Sequence, residues 1–352
     1  DTVTATVDAA STGQKIGTLS NVEVATLVFA QTAGSFDPTG FTTINTSTTN
    51  NTHDVDIDNL TTSMTLNVKD GADELNLDYA DDATATINFD FTEANGIDND
   101  FLIADAQTVN INMKGGNDVT IGANVNLDAS DTDFLTISTT VAGSGFIVAA
   151  SVSGAKVQTA TLTSTSTNAP ISVAGTFLDS AAELTALTVS ATDGDNTSHV
   201  RIGNVGAGAA AAKLKTIDLD ASHLAEVTTG SIDAEGASLT SITADAASSG
   251  SIITTGALTF SSVPTITTTA VSGAEVDLSG AVTASTVGTI KHTGAGNFRM
   301  DATANSITTL ERLDLTGATG TNAVDLAGNT NAVTVNLGTG ADTVILSGAA
   351  DD

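Results

Sequence analysis

Leu184-Thr-Ala-Leu187-Thr-Val189 begins a pattern that returns five more times along the chain. The later copies are Leu214-Lys-Thr-Ile217-Asp-Leu219, Leu239-Thr-Ser-Ile242-Thr-Ala244, Val263-Pro-Thr-Ile266-Thr-Thr268, Val287-Gly-Thr-Ile290-Lys-His292 and Leu310-Glu-Arg-Leu313-Asp-Leu315. The central apolar residues of the six copies lie 30, 25, 24, 24 and 23 residues apart. A self-similar period of this length is the sequence signature of a solenoid, in which every copy forms one coil.

The same register extends in both directions from these six copies. Val335 continues it downstream, and the upstream matches are Ala160, Ile137, Val109, Ile87, Leu66, Ile44 and Leu27. Within each copy the apolar residues alternate with Thr, Ser, Asp or Asn, which is typical of a half-buried β-strand. We therefore predict one buried column that contains Leu187, Ile217, Ile242, Ile266, Ile290, Leu313 and Val335.

A second strand is expected about halfway between copies, as in Val276-Asp-Leu278, Phe298-Arg-Met300 and Val324-Asp-Leu326. Two or three strands in each coil predict an all-β fold, a parallel β-helix or solenoid with coils of about 24 residues. Two alternatives stay open. A leucine-rich repeat has a similar pattern but normally adds an Asn ladder and a helical segment, and a β-sandwich would not hold this spacing over six copies.

Wider spacings of 27 to 30 residues around residues 137–217 predict insertions or a break in the solenoid. The small-residue segment 206–212 is a candidate loop in this region. We expect two domains, a β-solenoid segment over residues 1–140 and a β-helix of 22–30-residue repeats over residues 141–352. The chain opens at Asp1 without a starting Met or signal peptide, which indicates a fragment or a processed form of a longer protein.

The formal net charge is −31, from 41 acidic and 10 basic residues. This charge argues against nucleic-acid binding, because nothing in the chain could neutralise a phosphate backbone. The β-branched alternation argues against disorder, so we expect bound cations to offset the repulsion. There are no cysteines, which excludes disulfides and thiolate metal sites. No apolar run approaches 18 residues, so we predict no membrane insertion.

The sharpest local motif is Leu337-Gly338-Thr339-Gly340-Ala341-Asp342-Thr343-Val344. It matches most of G-G-x-G-x-D-x-U-x, a calcium-binding nonapeptide repeat in which U is a large apolar residue. Asp351 falls nine residues after Asp342, and the segments 69–75 and 114–119 are partial copies. Each of the three motifs follows a predicted strand. The candidate calcium ligands and turn glycines are Asp70, Gly71, Asp73, Gly116, Asp118, Gly338, Gly340, Asp342 and Asp351.

Calcium prefers about six to eight hard oxygen ligands, and glycine lets a turn direct its carbonyl groups at the ion. We therefore expect adjacent turns to hold Ca²⁺, although an ordinary tight turn would have the same Gly-x-Asp sequence. Other acidic clusters, such as Asp54-Val-Asp56-Ile-Asp58, are weaker candidates. Their carboxylates should share one strand face and repel each other unless a cation or water separates them.

Catalytic motifs are missing from the sequence. The four histidines lack metal-binding spacing, and there is no nucleophile elbow, phosphate-binding loop or dinucleotide fingerprint. Paired carboxylates could serve a glycosidase, but one Tyr and no Trp leave few aromatic platforms for a sugar. We expect no enzymatic activity, and we expect His292 to have a packing role.

The Gly-x-Gly-x-Asp motifs resemble those of RTX proteins. Together with the Thr/Ala/Ser/Gly-rich repeats and the lack of Cys, they look like the RTX-type surface-layer proteins of Gram-negative bacteria. This resemblance implies RTX-like calcium-binding turns, type I secretion, an extracellular location at the cell surface and self-assembly into a calcium-dependent lattice. It also implies anchoring to cell-surface polysaccharide through regions outside these residues. The alternative is an RTX-type adhesin or a glycan-binding stalk segment.

Overall fold

A computed structural model describes residues 1–7, 22–30, 35–50, 52–62, 64–91, 95–127, 131–192, 199–208, 210–301 and 305–346. These residues form 31 strands and, within the described ranges, no helix. All the strand pairings given below are parallel, and the predicted all-β parallel solenoid is confirmed. The chain forms two compact units. Unit 1 comprises Asp1–Val157 and Thr165–Leu178, and unit 2 comprises Gln158–Ser164 and Asp179–Asp352.

The strands stack in three faces of the solenoid. The strands of unit 1 are β1 Thr2–Val7, β2 Val24–Phe29, β3 Ser35–Phe36, β4 Thr43–Thr48, β5 Val55–Leu60, β6 Thr65–Val68, β7 Leu75–Phe89, β8 Asn95–Ile97, β9 Phe101–Met113, β10 Val119–Ile121, β11 Val125–Leu127, β12 Phe134–Thr139, β13 Phe146–Val148, β14 Val152–Ser153 and β16 Ile171–Val173. Face 1 stacks β1, β2, β4, β6, β12 and the second halves of β7 and β9. Face 2 stacks β3, β5, β11, β14 and the first halves of β7 and β9. Face 3 stacks β8, β10, β13 and β16.

The corner between faces 2 and 1 explains how one long strand serves both faces. Asn59, Asp82 and Asp105 have φ values of 58°, 60° and 58° and lie in successive coils. Asn and Asp tolerate this left-handed conformation better than other side chains do. The residue in the left-handed backbone conformation turns the chain, and the strand then continues on the next face.

Unit 2 repeats this plan. Its strands are β15 Thr159–Ser164, β17 Ala186–Ala191, β18 His199–Ile202, β19 Thr216–Ala221, β20 Glu226–Thr229, β21 Ile232–Ser238, β22 Ser241–Ala246, β23 Ile252–Thr255, β24 Leu258–Ala270, β25 Glu275–Asp277, β26 Val282–Gly294, β27 Asn297–Met300, β28 Ser306–Ala318, β29 Asn322–Leu326, β30 Thr334–Asn336 and β31 Asp342–Leu346. Face 1 runs through β15, β17, β19 and β22 into the second halves of β24, β26 and β28, and ends at β30. Face 2 stacks β21 on the first halves of β24, β26 and β28. Face 3 stacks β18, β20, β23, β25, β27, β29 and β31.

The predicted buried column is observed on face 1 of unit 2. Leu187 pairs with Ile217, and the pairing continues residue by residue to Val335. The register advances by 24 residues from Ile242 to Ile266 and again to Ile290. The members up to Leu313 are at most 1% exposed, whereas Val335 in the last described coil is only half-buried.

Two upstream positions of the predicted register were wrong by two residues. Ile87 pairs with Ile111 rather than Val109, and Ile44 pairs with Ala25 rather than Leu27. Val109 and Leu27 are still buried in the core. Because side chains alternate with a period of two, residues i and i+2 of a strand point to the same face, and sequence alone cannot tell them apart.

Candidate functional site

The first two predicted calcium turns lie at the two ends of face 3 in unit 1. Ala72 bridges to Ile97, so Asp73 comes just after its face 3 segment, whereas Asp118 comes just before β10. Oδ1 of Asp73 accepts a hydrogen bond from Nδ2 of Asn99 at 2.6 Å, and Oδ1 of Asp118 accepts one from the Gly145 amide at 2.6 Å. The structure therefore places these carboxylates at different corners, where each bonds to the following coil.

Two further groups of the first turn bond within the protein, whereas Gly116 of the second turn is open to solvent. Oδ1 of Asp70 accepts the Gly71 amide at 2.9 Å, and the Gly71 carbonyl accepts the Thr48 hydroxyl at 2.6 Å. Gly116 is exposed, and a Cβ built on it would have no atom within 4 Å. No steric reason in the described structure therefore requires glycine at position 116.

The third predicted turn precedes β31 in unit 2. The Asp342 carboxylate accepts the Gly338 amide at 3.0 Å and Nδ2 of Asn322 at 2.7 Å. A Cβ on Gly340 would overlap the Gly320 carbonyl oxygen, and a Cβ on Gly338 would overlap a backbone oxygen of the preceding coil. These two glycines are needed because adjacent coils approach closely. Asp351 lies outside the described residues.

The fit of these turns to Ca²⁺ depends on how many oxygens they bring to one point. Calcium would need about six to eight oxygens around one point, yet each turn brings N–H donors to its aspartate. Within the described ranges, no group of three or more His, Asp or Glu side chains is arranged to hold a metal ion. In the described geometry the turn aspartates form hydrogen bonds within the protein, to a neighbouring coil or to a nearby backbone amide. Calcium binding by these nine residues stays a prediction.

An acidic groove lies on face 2 of unit 1, with a cavity volume of about 290 Å³. Its lining includes Ser35, Asp56, Asp58, Asn76, Asp78 and Leu102. Alternation along β5 directs Asp56 and Asp58 outward, as the sequence predicted. Asp58 and Asp78 come directly after the paired residues Ile57 and Leu77, so the groove crosses at least two coils.

Burial and mutual repulsion perturb the carboxyl groups of this acidic groove. Burial raises the pKa of Asp56, an effect that the Asn76 amide opposes by donating to Oδ1 at 2.7 Å and the Asp58 charge reinforces. Burial also raises the pKa of Asp78, and the nearby Asp105 carboxyl adds to the shift. Since no Lys, Arg or His is among its lining residues, the groove favours protons and cations and disfavours anions.

A second acidic cluster lies on face 1 of unit 2. Asp220 on β19 pairs directly with Asp245 on β22, and Asp218 lies two residues before Asp220 on the same side. Burial, followed by the charges of Asp218 and Asp245, raises the pKa of Asp220 to about 6. Like charges directly opposite each other destabilise a sheet, so this pair favours protonation or a counter-ion.

An asparagine ladder runs along face 1 of unit 1 and was missed by the sequence reasoning. Nδ2 of Asn67 donates to Oδ1 of Asn45 at 2.9 Å, Asn88 donates to Asn67 at 2.9 Å, and Asn112 donates to Asn88 at 3.2 Å. Ser138 adds a further rung to Asn112 at 2.8 Å. The rungs are 22, 21 and 24 residues apart, and each Asn follows a central apolar residue of the repeat. An Asn at this constant spacing, directly after an apolar residue, was the sequence pattern that could have predicted the ladder.

His292 belongs to the core of unit 2. It is fully buried, stacks on Phe298 with ring centroids 5.1 Å apart, and hydrogen-bonds through Nδ1 to the Thr268 hydroxyl at 2.9 Å. Burial lowers its pKa to about 4. The imidazole is therefore neutral at physiological pH and has a packing role.

The part of the chain that the structure describes has no helix long and apolar enough to cross a membrane. Comparisons with known protein families, with curated proteins and with solved structures found no match.

Proposed function

We propose that the chain is a structural component of an extracellular surface lattice, similar in role to RTX-type surface-layer proteins, and that it is not an enzyme. The observation that carries the proposal is the unbroken polar ladder from Asn45 to Ser138, in which outward side chains of successive coils bond to one another. Such a ladder yields a rigid, repetitive surface. Repetitive surfaces suit many equal contacts better than one concave catalytic site.

The acidic clusters support a dependence of assembly on cations. Carboxylates with raised pKa values, such as Asp56, Asp78 and Asp220, have unfavourable surroundings for their charged form. Copies of a chain with a net charge of −31 also repel each other. Cations that screen this repulsion would favour contact between copies, and calcium is the cation that the resemblance implies.

The secretion route, the cellular location and the partners in this proposal follow from the resemblance alone. It comprises type I secretion, location at the cell surface, a second copy of the chain as the main partner, and anchoring to cell-surface polysaccharide through regions outside these residues. Nucleic-acid binding and membrane insertion are not part of the proposal.

Electron microscopy of the full-length protein, with calcium added or chelated, tests the proposed function. Ordered sheets that dissolve on chelation are the expected result. Discrete fibres that look the same under both conditions would contradict the lattice and favour the adhesin or glycan-binding stalk.

A further inference from the structure

Face 1 of unit 1 presents two adjacent columns of outward, half-buried polar side chains. One column contains Thr43, Thr65, Thr86, Asn110 and Thr136, and the other contains Thr26, Asn45, Asn67, Asn88, Asn112 and Ser138. No charged side chain occupies any of these positions. We call this surface the neutral face.

The neutrality of this face is not imposed by the fold. The corresponding outward positions on face 1 of unit 2 include Asp218, Asp220, Asp245 and Lys291. In unit 1 the acidic side chains Asp56, Asp58 and Asp78 lie on face 2 instead. Charged side chains follow one edge of the neutral face, since Lys69, Asp90 and Lys114 come two residues after Asn67, Asn88 and Asn112. Lys69 and Asp90 form an ion pair there, so the acidic groove of this unit and its asparagine ladder lie on different faces.

The hydrogen bonds of the ladder leave further hydrogen-bonding capacity on the neutral face. An Asn side chain has two N–H donors and an oxygen with two lone pairs. Asn67 and Asn88 each use one donor and one acceptor position within the ladder. Each amide therefore keeps one donor and one lone pair for another molecule, and because the ladder already holds the side chains in place, little rotamer freedom is lost on binding.

We propose that the neutral face is a self-association surface, which a second copy of this chain covers through its own neutral face. Two copies with a net charge of −31 repel each other wherever their acidic surfaces meet. The neutral face lets them approach without juxtaposing like charges, which would otherwise suppress association. Amides and hydroxyls also complement themselves, because each group both donates and accepts hydrogen bonds. The same patch on both partners makes the contact isologous, with two-fold symmetry.

This contact deepens the proposed function by naming one lattice contact, and it is expected to be weak singly. Two columns over six coils cover a small area compared with stable interfaces, which bury about 1,200–2,000 Å² in total. Multivalency in a lattice would make many such contacts act together.

The test is sedimentation analysis of the whole chain over a wide concentration range in chelator, so that calcium-dependent assembly is not measured. We expect the unmodified chain to form a concentration-dependent dimer. Asn67→Asp, which places one charge in the middle of the neutral face, should weaken the dimer by about tenfold or more. Thr120→Asp adds the same charge at an exposed position on face 3 and should leave the dimer unchanged.

A charge-pairing experiment separates lost contact from lost folding. Asn67→Asp and Asn67→Lys should each dimerise poorly alone, and a mixture of the two should recover association, because a two-fold contact centred on the neutral face would bring position 67 close to its counterpart. A neutral glycan as the true partner would leave the chain monomeric at every concentration, and that outcome would overturn the proposal. Equal dimerisation of Asn67→Asp and the unmodified chain would also overturn it. A dimer in chelator without sheets in calcium would instead contradict only the lattice function.

Discussion

Gly115 and Gly116 are adjacent in the chain but meet different surroundings. A Cβ on Gly115 would overlap the backbone of Phe91 in the neighbouring coil, whereas a Cβ on Gly116 would meet nothing within 4 Å. We predict that Gly115→Ala destabilises the protein by about 1–3 kcal/mol, as overpacking does. Gly116→Ala is the matched control and should be neutral or stabilising by less than about 1 kcal/mol. Urea unfolding of both variants checks this, and equal losses would contradict the close-approach explanation.

Asn88 lies in the middle of the ladder, with a rung on each side. Asn88→Ala removes its hydrogen bonds to Asn67 and Asn112, so we predict a loss of about 1–2 kcal/mol in the free energy of unfolding. Thr86→Ala changes the outward residue two positions earlier on the same strand and serves as the control, with a loss under about 1 kcal/mol. Denaturant titration measures both. Indistinguishable losses would mean that the ladder adds no stability beyond strand propensity.

At the level of single elements, the strands were largely predictable from the sequence. Apolar alternation and a constant spacing are local properties, and they gave the inward column from Leu187 to Leu313 correctly. The exact partner within a strand was less predictable, because Val109 and Ile111 point to the same side of β9. The ladder at Asn67 and the hydrogen bonds of Asp342 depend on which atoms adjacent coils bring together. Residue types alone do not encode that arrangement.

The prediction at this scale concerns the cross-strand pair of Asp220 on β19 and Asp245 on β22. The folded-state pKa of Asp220, about 6, lies above its ordinary value of 3.8 because of burial and the charges of Asp218 and Asp245. A carboxyl group with a raised pKa favours the folded state below its unfolded pKa, and this contribution is lost as pH rises through about 6. Asp220→Asn should therefore stabilise the protein at pH 7 by about 1 kcal/mol, allowing for partial solvent screening.

The same substitution should have almost no effect at pH 4, where Asp220 is protonated in the folded state. Urea unfolding at the two pH values gives the comparison. Asp233→Asn, which replaces a carboxylate on face 2 of the same unit, controls for a general reduction of negative charge. An equal gain from both variants at pH 7 would show that net charge, and not the cross-strand pair, is responsible.

At the scale of the whole molecule, the buried and crowded carboxylates act together. The pKa values of Asp54, Asp56, Asp78, Asp220, Asp245 and Asp277 are all raised, with burial as the leading cause in each. The folded protein therefore takes up protons at these groups before the unfolded chain does as the pH falls from 7, with Asp220 titrating at about pH 6. The stability that these groups contribute increases as the pH falls toward their ordinary pKa of 3.8.

Two kinds of group oppose this trend. The pKa of His292 is lowered to about 4 by burial, so the unfolded chain binds its proton first and up to about 3 kcal/mol of stability is lost between pH 6.5 and 4. Hydrogen bonds from Thr316 lower the pKa of Asp314, and hydrogen bonds from Thr228 and Arg201 outweigh burial to lower that of Glu226. Their stabilisation is likewise lost in acid. Near neutral pH only His292 of these groups opposes the raised carboxyl groups, because Asp314 and Glu226 lose their stabilisation below their ordinary pKa values of 3.8 and 4.5. We expect the six raised carboxyl groups to outweigh His292 and to place the stability maximum on the acidic side of neutrality.

We therefore predict a higher melting temperature at pH 5 than at pH 7.5 in low salt. Adding salt at pH 7.5 should raise the melting temperature and narrow this difference, because it screens the repulsion among exposed carboxylates of a chain with a net charge of −31. The difference should not vanish, since burial rather than repulsion is the leading cause of the shifts. Thermal unfolding followed by circular dichroism across pH and salt measures both effects. A melting temperature that falls steadily from pH 7.5 to pH 5 would show that protonation of His292 in the unfolded chain, and not the crowded carboxylates, dominates in this range.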